Sequence, residues 1–156
     1  MRRGFTLVEM MMVMVVMALI ATLATGAAMK SIRQAKEQRI NTTRATLEMA
    51  LMNYRAYEGN WPTLDGTSDT TNVVFKTPEK IAKVFEPLIN STTRVYLDPA
   101  ALLTKVDGKV LSLREAMGDK KGASFPLGYP NPDKGSEFKY YKVTINLVYD
   151  TVKVER

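Results

Sequence analysis

The chain has 156 residues, 24% of them charged, with 22 Lys and Arg against 16 Asp and Glu for a net charge of +6, and it contains neither cysteine nor histidine. Their absence excludes disulfide staples, thiolate nucleophiles and thiolate metal sites, and it removes the commonest general base and zinc ligand. The basic surplus is scattered rather than clustered, which fits a solvated surface and argues against nucleic acid as a partner.

From the N-terminus, Arg2-Arg3-Gly4-Phe5-Thr6-Leu7-Val8-Glu9 runs directly into an uncharged apolar stretch from Met10 to Met29. A helix from Phe5 to Met29 would span about 37 Å at about 1.5 Å per residue, enough to cross a hydrocarbon core. Glu9 is the one carboxylate inside that segment. An ionisable group at membrane depth is costly and reads as functional, with a partner to be named. A cut between Gly4 and Phe5 would create a charged α-amino group four residues from Glu9, on the same helix face, and in a fibre that amine would belong to a neighbouring subunit. A secretory signal peptide with Ala24-Thr25-Gly26-Ala27-Ala28 as cleavage site, or a plain anchor oriented by Arg2 and Arg3, would account for the charge and the apolar run but not for Glu9. Met10, Met11, Met12, Met14 and Met17 crowd the segment. A copper-binding methionine box is one reading, and a flexible apolar surface suited to lipid and helix packing is the stronger one. Gly26, near Thr22 and Thr25, is the soft point of the run.

This arrangement resembles the leader of type IV pilins and type II secretion pseudopilins: a short basic peptide ending in glycine, then Phe-Thr-Leu-Val-Glu and an apolar helix. The resemblance implies cleavage by a prepilin peptidase between Gly4 and Phe5, N-methylation of Phe5, and an assembly role for Glu9. It also implies that Arg2 and Arg3 leave with the leader, lowering the side-chain surplus from +6 to +4. Many pilins close their C-terminal region with a disulfide, which a chain without cysteine cannot do, and this favours the pseudopilin branch. The helix-breaking proline that many members carry near position 26 is missing here.

Past Met29 the sequence turns charged but keeps a helical period: Ile32, Ala35, Ile40, Thr43, Leu47, Ala50, Leu51 and Tyr54 recur at three- and four-residue steps. An amphipathic continuation is expected, stopped by Gly59 and Pro62, so that one rod from about Phe5 to Tyr57 would be roughly 80 Å long. Tyr54-Arg55-Ala56-Tyr57-Glu58-Gly59-Asn60-Trp61-Pro62-Thr63 is similar to the Tyr, Gly, aromatic-Pro-Thr order that ends the long helix in major pseudopilins. Here Gly59 supplies a left-handed cap, Pro62 fixes the exit, and Trp61 is an apolar plug that seats the domain on the rod.

Residues 64 to 77 read as a loop. Thr77-Pro78-Glu79 then starts a short helix expected to end before Pro87. Strands are expected at Arg94–Leu97, Lys109–Leu111, Phe138–Leu147 and Val152–Glu155, with turns at Asp107-Gly108 and near Asp150, while Glu115 to Lys121 is too charged to place. Gly128-Tyr129-Pro130-Asn131-Pro132 stands where pseudopilins often have Asp-Pro-Trp-Gly-Asn-Pro, and it matches poorly. Asp65, Asp69 and Asp150 are the candidate calcium ligands, with Asp98, Asp107 and Asp133 behind them, but no stretch has the alternating Asp pattern of a calcium loop. No cofactor is expected, and solvated turn residues are the better account of these carboxylates.

The expected organisation is a leader at 1–4, a transmembrane and assembly helix at 5–29, its amphipathic continuation at 30–58, and a small α+β head at 59–156 with an antiparallel sheet packed on the outer half of the helix. The resemblance implies a structural, non-catalytic subunit of a type II secretion pseudopilus or a type IV pilus-like fibre. Its partners would be its own copies, other pilin-like subunits, the prepilin peptidase, and an inner-membrane assembly platform with its ATPase. It would cross the bacterial inner membrane once, N-terminus in the cytoplasm and head in the periplasm. The alternative is a minor pilin or membrane-anchored binding module for DNA or a surface ligand; an anchored enzyme has the least support.

Overall fold

The computed structural model describes residues 6–64, 66–68, 71–91, 94–118, 124–134 and 136–156. The chain divides into two compact units, residues 1–38 and 39–156, the second of which is called the head unit below. Helix α1, Leu7–Glu58, contributes to both. No proline interrupts its 52 residues. Gly59 ends it as expected: its φ of +76° is a left-handed cap that a side chain would strain, and its N–H donates to the Arg55 carbonyl at 3.0 Å.

Within the head unit α1 turns one stripe inward. Ile40, Leu47, Ala50 and Leu51 are buried, at the spacing that the sequence pattern predicts. Around them the chain forms β1 (Thr67–Ser68), β2 (Asn72–Phe75), α2 (Pro78–Ile89), β3 (Leu103–Val106), β4 (Lys109–Ser112), α3 (Leu113–Met117), β5 (Gly128–Pro130), β6 (Phe138–Tyr140), β7 (Lys142–Asn146) and β8 (Thr151–Glu155). The architecture is α+β and pilin-like. The strands make two antiparallel sheets rather than one, in the orders β1-β2-β7-β8 and β4-β3-β5-β6. One core joins the helix stripe to Val73, Phe75, Val143, Ile145 and Val154 of the first sheet, to Ile81, Val84, Phe85 and Leu88 of α2, and to Tyr129 of the second sheet.

Four local expectations need correction, and one segment that the sequence leaves unplaced takes a definite form. Residues 64 to 77 contain the β1–β2 hairpin: Val73 and Phe75 alternate inward from β2, but the hydroxyl and acidic residues around this short strand mask it. Helix α2 passes Pro87 and runs to Ile89, because Leu88 is buried and the Asn90 N–H reaches the Glu86 carbonyl at 3.0 Å, so only the one bond that proline cannot donate is lost. Arg94–Leu97 is not a strand; Tyr96 packs beside Tyr54 and Leu97 enters the core. The charged segment after Ser112 begins with α3, held by a capping box in which Ser112 and Glu115 bond reciprocally. Phe138–Leu147 is two strands in different sheets, divided at Tyr141, whose N–H donates to the Leu127 carbonyl and whose ring is buried.

The outer edge of β8 lies against α1. The Val154 N–H donates to Glu48 Oε1 at 2.8 Å, and Arg156 Nη2 donates to Asn41 Oδ1 at 2.9 Å. A carboxylate from the helix thus occupies a donor on a strand edge that would otherwise invite pairing with another chain. Glu48→Ala should leave that N–H without a partner and cost about 1 to 3 kcal/mol. Thermal unfolding of the detergent-solubilised chain measures this; an unchanged melting temperature would show that water replaces the carboxylate.

Candidate processing and assembly site

The residues singled out by sequence for processing, Gly4 and Phe5, lie outside the described residues. The assembly residue Glu9 is described, and so is its immediate setting. The Thr6 N–H donates to Glu9 Oε2 at 2.8 Å, the Thr6 hydroxyl donates to the same oxygen at 2.9 Å, and the Glu9 N–H donates back to Thr6 Oγ1 at 3.3 Å. This is a capping box on the first turn of α1, and it satisfies backbone donors that a helix start leaves open. Glu9 also places negative charge at the positive end of the helix dipole. The Thr-x-x-Glu spacing of this box is present in the sequence, directly ahead of the apolar run. Glu9 therefore has a local role besides any partnership with an amine.

Beyond Glu9 the helix presents apolar side chains to its surroundings at every described position from Met10 to Ile20, with Met12 71% and Met14 69% exposed. A soluble amphipathic helix buries one face; a helix apolar all round needs lipid or other helices. It is the one described helix long and apolar enough to cross a membrane. Its hydroxyls are taken up internally, Thr22 Oγ1 donating to the Leu19 carbonyl and Thr25 Oγ1 to the Ala21 carbonyl, both at 2.8 Å. Such bonds spare a hydroxyl the cost of meeting hydrocarbon unpaired. The helix continues without a break through Gly26.

At its other end α1 is tied to the surrounding loops. Arg55 Nε donates to Asp150 Oδ1 at 2.9 Å, and its guanidinium stands 5.9 Å from the Trp61 ring centroid. The Tyr96 hydroxyl donates to Glu58 Oε1 at 2.9 Å, its ring lies 5.4 Å from that of Tyr54, and Arg94 stacks 3.9 Å over Tyr57. Trp61 is half-buried against the core, the seating position expected of it. Asp150 is thus engaged in an ion pair, while Asp65 and Asp69 lie outside the described residues. Among the described residues no three His, Cys, Asp or Glu side chains converge as a metal site. Asp98 accepts from the Ala100 N–H, and Asp107 has a φ of +49° in the β3–β4 turn ahead of Gly108, as the Asp-Gly pair predicts.

Residues 1–25 match the prokaryotic N-terminal methylation motif. No curated protein and no solved structure matches the chain. The match covers the basic peptide, the Gly4-Phe5 junction, the Thr6–Glu9 box and most of the apolar run. The motif implies recognition by a prepilin peptidase and assembly of copies into fibres, and with the apolar helix it fits a membrane-anchored, single-pass protein. The chain carries the N-terminal methylation leader of the type IV pilins and pseudopilins.

Proposed function

We propose that the chain is a structural subunit, cut between Gly4 and Phe5, methylated on the new Phe5 amine, and polymerised through its apolar helix into a type II secretion pseudopilus or a type IV pilus-like fibre. The observation that carries this reading is the Glu9 carboxylate held at the start of α1, within the leader motif and at the head of a helical stretch, Met10 to Ile20, whose apolar side chains are all exposed. Before assembly lipid covers that helix; in the fibre other copies do, and the Phe5 amine of one copy meets Glu9 of the next. The basic Arg2 and Arg3 keep the leader in the cytoplasm by the positive-inside rule, which places the head unit across the inner membrane. An assembly platform and its ATPase would supply the energy for extracting the helix from lipid. Gly59, Trp61 and Pro62, in the order found in major pseudopilins, and the lack of cysteine support the secretion branch.

The peptidase must accommodate the residue before the scissile bond, so a bulky side chain at position 4 should stop processing. Gly4→Phe should accumulate as a membrane-bound species that starts at Met1, while the unaltered chain starts at an N-methylated Phe5. Intact mass decides it. A cut after Gly26 or Ala28 instead would identify a secretory signal and overturn the reading.

A further inference from the structure

We propose that the β7–β8 turn of one copy seats in a groove at the opposite end of the head unit of the next, giving the fibre a second contact, between head units, that runs along the helix direction. The inference rests on the fibre reading above.

The turn is an apolar knob in an unusual place. Leu147, Val148 and Tyr149 are 42%, 65% and 76% exposed, three consecutive large side chains facing water. Asn146 Oδ1 accepts from the N–H groups of Val148 at 3.0 Å and Tyr149 at 2.8 Å, and Asn146 Nδ2 donates to Asn72 Oδ1. The Leu147 N–H donates to the Thr71 carbonyl, and Asp150, with φ +51°, is pinned to Arg55. A turn so fully bonded is pre-organised, and presenting it to a partner costs little ordering entropy. Exposed contiguous apolar surface of this kind marks an interaction site more often than chance.

The groove has a volume of about 330 Å³ and lies between the first turns of α1 in the head unit and the segment before β3. Leu97 and Leu102 form an apolar floor; Arg39, Thr42, Thr46 and Asp98 form its walls. Arg39 makes no ion pair among the described residues, and Asp98 commits only one carboxylate oxygen, to Ala100. An aromatic ring laid on the two leucines, with its hydroxyl toward Asp98 or Arg39, matches this lining. Tyr149 supplies both features, and Val148 fits the threonine methyls.

Position selects a second copy as the occupant. The knob is tied to Arg55 and the groove spans Arg39 to Thr46, so nine to sixteen residues separate them along α1, or roughly 14 to 24 Å at about 1.5 Å per residue. Two different patches at two ends of one element make a heterologous contact, which does not close in a pair and extends as a filament.

The chain has no cysteine, so engineered cross-links are free of background. In fibre-producing cells the full chain with Val148→Cys and Thr42→Cys together should give a ladder of oligomers on mild oxidation of sheared fibres, while either change alone should leave monomers. Tyr149→Asp, at a side chain 76% exposed in its own copy, should lower fibre yield about tenfold, the scale set by losing one aromatic anchor, with the processed mass unchanged. Sedimenting fibres of processed subunit without a ladder would overturn this contact and leave the fibre reading intact. Cross-linked dimers from Val148→Cys alone would mean that turn meets turn, and would also overturn it. Chains that retain Met1 and never sediment would overturn the fibre reading itself, and this contact with it.

Discussion

Glu9→Val should insert and be cleaved between Gly4 and Phe5 as before, yet its yield of assembled fibre should fall by an order of magnitude or more. Two roles of the carboxylate are removed at once. One is the capping box with Thr6, worth about 1 kcal/mol to the first turn of α1. The other, on the fibre reading proposed above, is attraction to the Phe5 amine of a neighbouring copy, roughly 4 kcal/mol at 4 Å for an effective dielectric near 20, opposed in part by desolvation. Tenfold in an equilibrium corresponds to about 1.4 kcal/mol, so even a fraction of the pair's attraction meets the expected loss. Glu9→Gln separates the roles, since glutamine serves equally well in a capping box but carries no charge. If the amine pair governs assembly, Glu9→Gln should fail nearly as badly as Glu9→Val, and Thr6→Ala, which breaks the box and keeps the charge, should assemble. The reverse ranking, read from sheared fibre yield at equal amounts of processed subunit, would make Glu9 a helix cap and nothing more.

Gly128→Ala should be among the most damaging single-atom additions to the head unit. Gly128 sits in β5 between two partners, paired with Leu103 of β3 and with Tyr140 of β6. A Cβ built there would stand 2.5 Å from Phe138 Cε1 and 2.9 Å from its Cζ, and would also strike the Lys139 carbonyl oxygen. The ring can swing aside; the carbonyl belongs to the backbone of an adjacent strand and cannot. Overpacking of this sort costs about 1 to 3 kcal/mol, and valine at the same place should exceed that. Phe138→Ala combined with Gly128→Ala should recover only the part due to the ring, a non-additivity that a double-mutant cycle in urea unfolding reads directly. Equal stability of Gly128→Ala and the unaltered chain would show that β6 yields to the added methyl at no cost.

Much of this was legible in the residues because it is local. The leader, the apolar run and the inward stripe Ile40, Leu47, Ala50, Leu51 are written as composition and period, and Gly59, the Asp107-Gly108 turn and the last strand as turn chemistry. The division of the strands into two sheets was not legible, since strand pairing depends on partners far away in sequence. Even so, the adjacent Tyr140 and Tyr141 carried a trace of it: inward positions fall at Tyr141, Val143 and Ile145, odd numbers that a single strand continuing the Phe138 and Tyr140 phase could not keep on its core face. Pro87 signals a helix end in sequence, and only the burial of Leu88, a tertiary contact, offsets its cost. At the site, the Thr6–Glu9 box is legible as a capping motif at the start of an apolar helix. The knob at Leu147–Tyr149 has no periodicity to announce it, and its exposure emerges only once the strands are paired.

The ties at the end of α1 bear on how the head unit carries load. Tyr54, Arg55, Tyr57 and Glu58 are each held by a side chain from elsewhere in the fold, namely Tyr96, Asp150, Arg94 and again Tyr96. Tension drawn along the helix is therefore shared sideways among several loops over its last turn, instead of passing through the chain at Gly59 alone. Such anchors must slip together to let the helix go, as a bolt with several threads engaged resists a pull that would open them one at a time.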